Sequence, residues 1–130
     1  TKQKLRVLVA EDEYWARINI CSLITSFGDK YAVLEAAVDG KDALEKLAAS
    51  QADILITDIT MPVMDGTQLT AEVSRLYPEL AIIVVSGYND FSYVRSTLLN
   101  GAIDYLLKPV SPEELQAVYH PPETERCCFC

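Results

Sequence analysis

The sequence predicts an α/β domain, a doubly wound parallel sheet of five strands with helices on both faces. Three observations carry that expectation. Short runs of β-branched and aliphatic residues recur with no polar residue between them, as strands buried on both faces require. Helical apolar spacing fills the stretches between those runs. Turn and cap residues punctuate the junctions, so strand and helix alternate along one chain.

Taken in order, Val7-Leu8-Val9 forms the first strand. Ile20, Leu23, Ile24 and Phe27 keep helical spacing, and Gly28 closes that helix. The run from Tyr31 to Ala37 is weaker and contains Glu35, which suits an edge strand. After Gly40, Leu44, Leu47 and Ala48 mark a second helix, followed by the strand Ile54-Leu55-Ile56. Gly66 precedes a third helix carrying Leu69, Val73 and Leu76, and Pro78 ends it. Ile82-Ile83-Val84-Val85 is the fourth strand. Phe91, Val94 and Leu98 define a helix with Asp90 as its N-cap and Gly101 beyond its end. Ile103 to Leu107 is the fifth strand. A last helix starts near Pro112, with Ser111 as N-cap and Glu114 at the capping-box position. Pro121-Pro122 stops it near Tyr119, so the expected domain is 1–119 with a tail over 120–130.

Composition narrows the function. The chain has 130 residues, enough for one domain with its own core, and half of them are hydrophobic, which excludes a disordered or fibrous chain. With 11 basic against 19 acidic residues the net charge is −8, which argues against direct binding to nucleic acid. No apolar run approaches the roughly 20 residues of a membrane span, and the beginning lacks a signal-peptide pattern. Cys21 is isolated, while Cys127, Cys128 and Cys130 crowd the tail. That is not a disulfide framework, so the expectation is a reducing, cytoplasmic compartment. The three tail thiols could take zinc with His120 as a fourth ligand, but an added or truncated tail is favoured.

In an open parallel sheet, functional groups gather beyond the carboxyl ends of the strands. Here the first strand leads into Glu11-Asp12-Glu13, the third into Asp58, the fourth into Ser86 and the fifth into Lys108-Pro109. Each alone is an ordinary turn or cap residue. Together they deliver carboxylates, a hydroxyl and an ammonium to one edge. Carboxylates so crowded repel unless a cation sits among them, and a hard divalent ion such as Mg²⁺ is suited to them. Asp58 then has the company of a nucleophile that accepts a phosphoryl group.

On these residues the chain closely resembles the receiver domains of bacterial response regulators, from about Leu5 to Val118. The marks are Val-Leu-Val-Ala-Glu11-Asp12-Glu13, Ile-Thr-Asp58-Ile-Thr-Met-Pro-Val-Met-Asp-Gly66, Val-Val-Ser86-Gly-Tyr and Asp-Tyr105-Leu-Leu-Lys108-Pro109. The resemblance implies a flavodoxin-like fold with strand order 2-1-3-4-5. It implies Asp58 as phosphoacceptor, Mg²⁺ held by Asp12, by Glu11 through water, by Asp58 and by the Thr60 carbonyl, and Ser86 and Lys108 as phosphoryl-binding groups. It implies a cis bond before Pro109. Ser86 and Tyr105 would form a switch that re-presents the face of the fourth helix, fifth strand and fifth helix, through which a homodimer could form. The partner would be a sensor histidine kinase, docking on a first-helix face that includes Tyr14, Trp15 and Arg17. Glu11 stands where aspartate is frequent, and the short last helix puts the dimer face in question.

Thr60 and Tyr88, two positions beyond Asp58 and Ser86, are expected to tune phosphoryl lifetime, the bulky Tyr88 shielding the acyl phosphate from water. The segments Ser86 to Tyr93 and Asp104 to Val110 resemble receivers attached to AraC-type DNA-binding domains; no basic helix-turn-helix is present here. The resemblance implies a signalling module rather than an enzyme, although it assists its own phosphorylation and dephosphorylation. A hydrolase with an aspartyl-phosphate intermediate would need an acid where Thr60 stands. The other reading is a phosphorylation-independent pseudo-receiver that acts as an interaction module.

Overall fold

The computed structural model describes residues 5–28, 30–87, 91–107 and 112–113. Five strands, β1 (Leu5–Ala10), β2 (Tyr31–Val33), β3 (Ile54–Asp58), β4 (Ala81–Ser86) and β5 (Asp104–Leu107), alternate with α1 (Tyr14–Ser26), α2 (Gly40–Ala49), α3 (Gly66–Leu76) and α4 (Phe91–Leu99). All neighbouring strands pair in parallel, in the order β2-β1-β3-β4-β5. This is the order that the resemblance implied. Chain direction reverses its placement after β2, so β1 and β3 meet at the centre, the crevice where a doubly wound sheet gathers functional groups.

The strands owe their burial to both faces being apolar. Alternate residues of β1 enter opposite cores: Leu8 and Ala10 pack with Ala43, Leu47, Leu69 and Val73 of α2 and α3, whereas Val7 and Val9 pack with Ile20 and Ile24 of α1. β4 divides in the same way, with Ile82 and Val84 on one side and Ile83 and Val85 on the other. A period-2 strand buried on both sides needs such an unbroken apolar run. Gly28 takes φ of 109° immediately beyond the α1 C-cap, a conformation open to glycine at little cost.

Several details differ from the sequence expectation: β5 begins at Asp104 rather than Ile103, which is exposed, and Leu98 of α4 is 39% exposed. β2 ends at Val33 and only an isolated bridge, Ala10 to Ala37, continues it, because Glu35 and its neighbours leave the ladder. In α2 the buried stripe is Ala43 and Leu47; Ala48 is exposed, so the apolar face lies one residue earlier than expected. In α3, Leu69 and Val73 are buried but Leu76, in the last turn, is 47% exposed. Pro112 and Glu113 are helical, as expected. The proposed caps Asp90 and Ser111, Glu114, the helix to Tyr119 and the tail lie outside the described residues. Among the described residues no helix is long and apolar enough to cross a membrane.

Candidate functional site: an acidic edge at the centre of the sheet

The ends of β1 and β3 deliver the carboxylates. Glu11 follows β1 directly; its N–H donates to Ala37 O at 3.0 Å, which ties it to the segment after β2. Its Oε2 accepts from the Glu13 N–H at 3.2 Å, and its carbonyl accepts from Arg17 Nη1 at 3.0 Å. Asp58 is the last residue of β3. Its Oδ1 accepts from the Ile59 N–H at 2.8 Å, and the Thr57 hydroxyl donates to its carbonyl at 2.9 Å. Carboxylate oxygens of Glu11, Asp12 and Asp58 all lie within 4.8 Å of one another. Glu11 and Asp58 are buried and Asp12 is exposed, so the cluster opens to solvent on one side.

Below Asp58 the β3–α3 loop is packed tightly. The Gly66 N–H donates to Ile59 O at 2.7 Å, and a side chain at Gly66 would collide with the Asp58 carbonyl. Asp65 and Gln68 form a reciprocal capping box at the start of α3. Met64 O accepts from the Gly40 N–H at 3.0 Å, joining the loop to the start of α2. Between them Val63 has φ of 68° in a tight turn whose ends are joined by Met64 N–H to Pro62 O at 2.7 Å.

Ser86 ends β4, one residue beyond Val85, the residue paired with Asp58. Its hydroxyl is buried and has no hydrogen-bond partner among the described residues. A buried hydroxyl left so is costly unless something else supplies the partner. Thr60 is exposed beside the cluster, and Tyr105, paired with Val84, is 41% exposed. Tyr14 and Trp15 are exposed at the start of α1, ring centroids 5.0 Å apart and nearly perpendicular. Tyr88, Lys108 and Pro109 lie outside the described residues.

The donor set is all oxygen, the hard chemistry that Mg²⁺ selects. Oxygens on opposite sides of that ion stand about 4.2 Å apart, so carboxylates gathered this closely fit it with water completing the shell. Some features of the site have no clear periodic signal in the sequence. The capping box was visible as Asp65-x-x-Gln68, a known helix-start signature. The Arg17 contact had no sequence signal, because a side chain that reaches a backbone carbonyl leaves no pairing pattern.

The response regulator receiver domain family matches residues 7–120. The chain belongs to that family. The receiver is 33% identical over 110 residues to the uncharacterized transcriptional regulatory protein YesN of Bacillus subtilis, covering 85% of this chain and 30% of that protein. It is similar to the receiver domain of AraT, a response regulator from Geobacillus stearothermophilus, with TM-score 0.81, 36% identity, and 89% and 90% of the two chains covered. A CheY-like receiver from Methanospirillum hungatei superposes with TM-score 0.85 at 26% identity, covering 98% of this chain and all of that one. The receiver spans between 30% and 51% of the length of the first curated relatives it matches.

Proposed function

We propose that this receiver takes a phosphoryl group from a sensor histidine kinase onto Asp58 and passes the change to an output or dimer face. One observation carries the reading: three carboxylates converge beside a buried, unpartnered Ser86 hydroxyl at the ends of adjacent strands. A carboxylate oxygen of Asp58 attacks phosphorus in line, the bond to the donor's imidazole nitrogen breaks, and the imidazole leaves with the electron pair. The Ile59 amide holds Oδ1 and so orients the carboxylate for attack. Asp12, Asp58 and the Thr60 carbonyl would hold Mg²⁺ directly and Glu11 through water. When bound, the ion neutralises charge on the phosphoryl oxygens. Ser86 donates to one of those oxygens and Lys108 balances another.

The new dianion then draws the Ser86 hydroxyl toward it, and Tyr105 turns inward from its exposed position. Exposed Leu98, Leu99 and Ile103 share the α4–β5 side with Tyr105, which supports that side as the surface re-presented. The transcriptional regulators among the relatives are longer than this chain, which supports an output domain of DNA-binding type, AraC-like by resemblance, outside it. Tyr88 shields the acyl phosphate, so Tyr88→Ala is expected to lose phosphate faster than the parent; an equal rate removes that role.

The test is intact mass after incubation with Mg²⁺ and acetyl phosphate. The parent gains about 80 Da, one phosphoryl group, and Asp58→Ala gains nothing. No gain in the parent, with Mg²⁺ binding shown separately, would instead favour a phosphorylation-independent interaction module.

A further inference from the structure

We infer that Arg17 is a positioning residue for the acidic edge: its guanidinium holds the Glu11 carbonyl and so fixes the segment that presents Asp12 to a metal ion. The inference rests on the phosphoacceptor reading above and goes beyond it, since it gives Arg17 a role at the acidic edge besides its expected place on the first-helix docking face.

The start of α1 is weakly anchored by its own residues. Glu13, the N-cap, has extended backbone and makes no side-chain cap bond, and the first turn carries no acidic residue. Apart from the Glu13 amide, which donates to Glu11 Oε2, the Glu11–Glu13 turn needs a further hold. Side chains on a helix lean toward its N-terminus, so a long residue in the second turn can reach back over the first. Arg17 does this: its backbone N–H donates to Glu13 O at 2.9 Å, while its Nη1 donates to Glu11 O at 3.0 Å. One residue thereby bridges both ends of the turn that contains Asp12.

The guanidinium is itself fixed. Its Cζ lies 5.5 Å from the centre of the Tyr14 ring, a cation–π distance, and Tyr14 meets Trp15 edge-on. Glu11 is then held at its N–H by Ala37, at its carbonyl by Arg17 and at its carboxylate by the Glu13 amide. Asp12, exposed and next in sequence, inherits its backbone direction from these bonds.

Two consequences of an arginine here oppose each other, and that makes the inference testable. Its permanent positive charge repels an incoming Mg²⁺, whereas its hydrogen bond preorganises the ligands. If positioning dominates, Arg17→Met weakens Mg²⁺ binding; if charge dominates, Arg17→Met tightens it.

The experiment is calorimetric titration of the chain with MgCl₂ for the parent, Arg17→Met and Arg17→Lys, with amide hydrogen exchange at Asp12 and Glu13 on the same samples. Positioning predicts a roughly tenfold loss of Mg²⁺ affinity in Arg17→Met, in line with outer-sphere effects at metal sites. Arg17→Lys, which keeps a donor and the charge, recovers at least half of that loss. Exchange at Asp12 and Glu13 quickens in Arg17→Met, and its slower phosphorylation by acetyl phosphate returns to the parental rate at saturating Mg²⁺. Parental or tighter binding in Arg17→Met overturns the inference, as does Arg17→Lys binding no better than Arg17→Met. Should Arg17→Met fail to fold, the lysine variant and its exchange pattern still decide: parental exchange with weakened binding counts against positioning. A parent that binds no Mg²⁺ refutes the phosphoacceptor reading itself, whereas a parent that binds and is phosphorylated while Arg17→Met matches it refutes the role of Arg17 alone.

Discussion

The starts of α1 and α3 both follow a central strand and both lie beside acidic residues, yet they use those residues differently. At α3, Asp65 accepts the Gln68 amide at 2.9 Å and Gln68 returns a bond to the Asp65 amide, so the carboxylate secures the helix. α2 begins in the same way, with Asp39 accepting from the Asp42 amide at 2.7 Å. At α1 the N-cap Glu13 makes no side-chain cap bond; Glu11 accepts the Glu13 amide at 3.2 Å through one carboxylate oxygen, yet its carboxylate and that of Asp12 gather with Asp58. Acidic residues at this sheet edge thus differ in how they are used: Asp39 and Asp65 are taken up by helix amides, while Glu11, Asp12 and Asp58 crowd one another. The second group is the unusual one, since mutual repulsion offers nothing to the fold.

The largest expected effect tests whether the α3 start is built around Asp58. In Gly66→Ala the new Cβ would meet the Asp58 carbonyl and come within 2.8 Å of Ile59 Cα, backbone that no flexible side chain can yield. A loss of about 2–3 kcal/mol is expected in urea unfolding, together with weaker Mg²⁺ binding. Parental stability would mean that the loop is looser than its contacts imply.

Next comes the cap contrast itself. Asp65→Ala should cost about 1–2 kcal/mol, because the capping box is lost. Glu13→Ala, at the equivalent place on α1, should change stability by less than about 0.5 kcal/mol. Equal losses would erase the distinction between the two helix starts.

The smallest effect concerns Asp42, whose carboxylate pairs with Lys46 at 2.8 Å and accepts the Val38 amide at 3.0 Å. The Lys46 hydrogen bond holds the Asp42 carboxyl below its ordinary value, and Asp42 in turn holds the Lys46 ammonium above its own. The carboxylate's contribution is therefore present above the unfolded-state value and fades as pH falls through the lowered folded one. The lysine's contribution fades only as pH rises through its raised value. Asp42→Asn should lose about 0.3–0.5 kcal/mol at neutral pH and nothing measurable in strong acid. A loss that persisted in strong acid would point to the Val38 bond rather than the charge.

Much of this was legible in the sequence because burial on both faces writes itself as unbroken runs such as Ile82 to Val85. Strand order was not written in those runs; it came with the resemblance. The α2 face is not legible because Ala43 and Ala48 are both small and apolar, and only packing against β1 and α3 selects the first. Glu11, Asp12 and Asp58 could be found because strand ends in a parallel sheet converge. That Ser86 would lack a partner, that Gly66 abuts the Asp58 carbonyl and that Arg17 reaches Glu11 depend on three-dimensional closeness between groups with no periodic spacing.

Val63 has a further consequence. A β-branched residue at φ of 68° is held there by its surroundings, at a cost of about 1–3 kcal/mol, while its side chain is 74% exposed and recovers little by packing. Strain here is confined to Val63: Met61 is buried, Met64 O accepts the Gly40 amide and Asp65 caps α3, so the turn is held on both sides of it. Relieving that strain by Val63→Gly should stabilise the chain by up to about 1–2 kcal/mol in urea unfolding; an unchanged midpoint would mean that the turn carries no strain. An ion or phosphoryl group that binds the adjoining carboxylates only in the folded state would offset part of that cost by mass action.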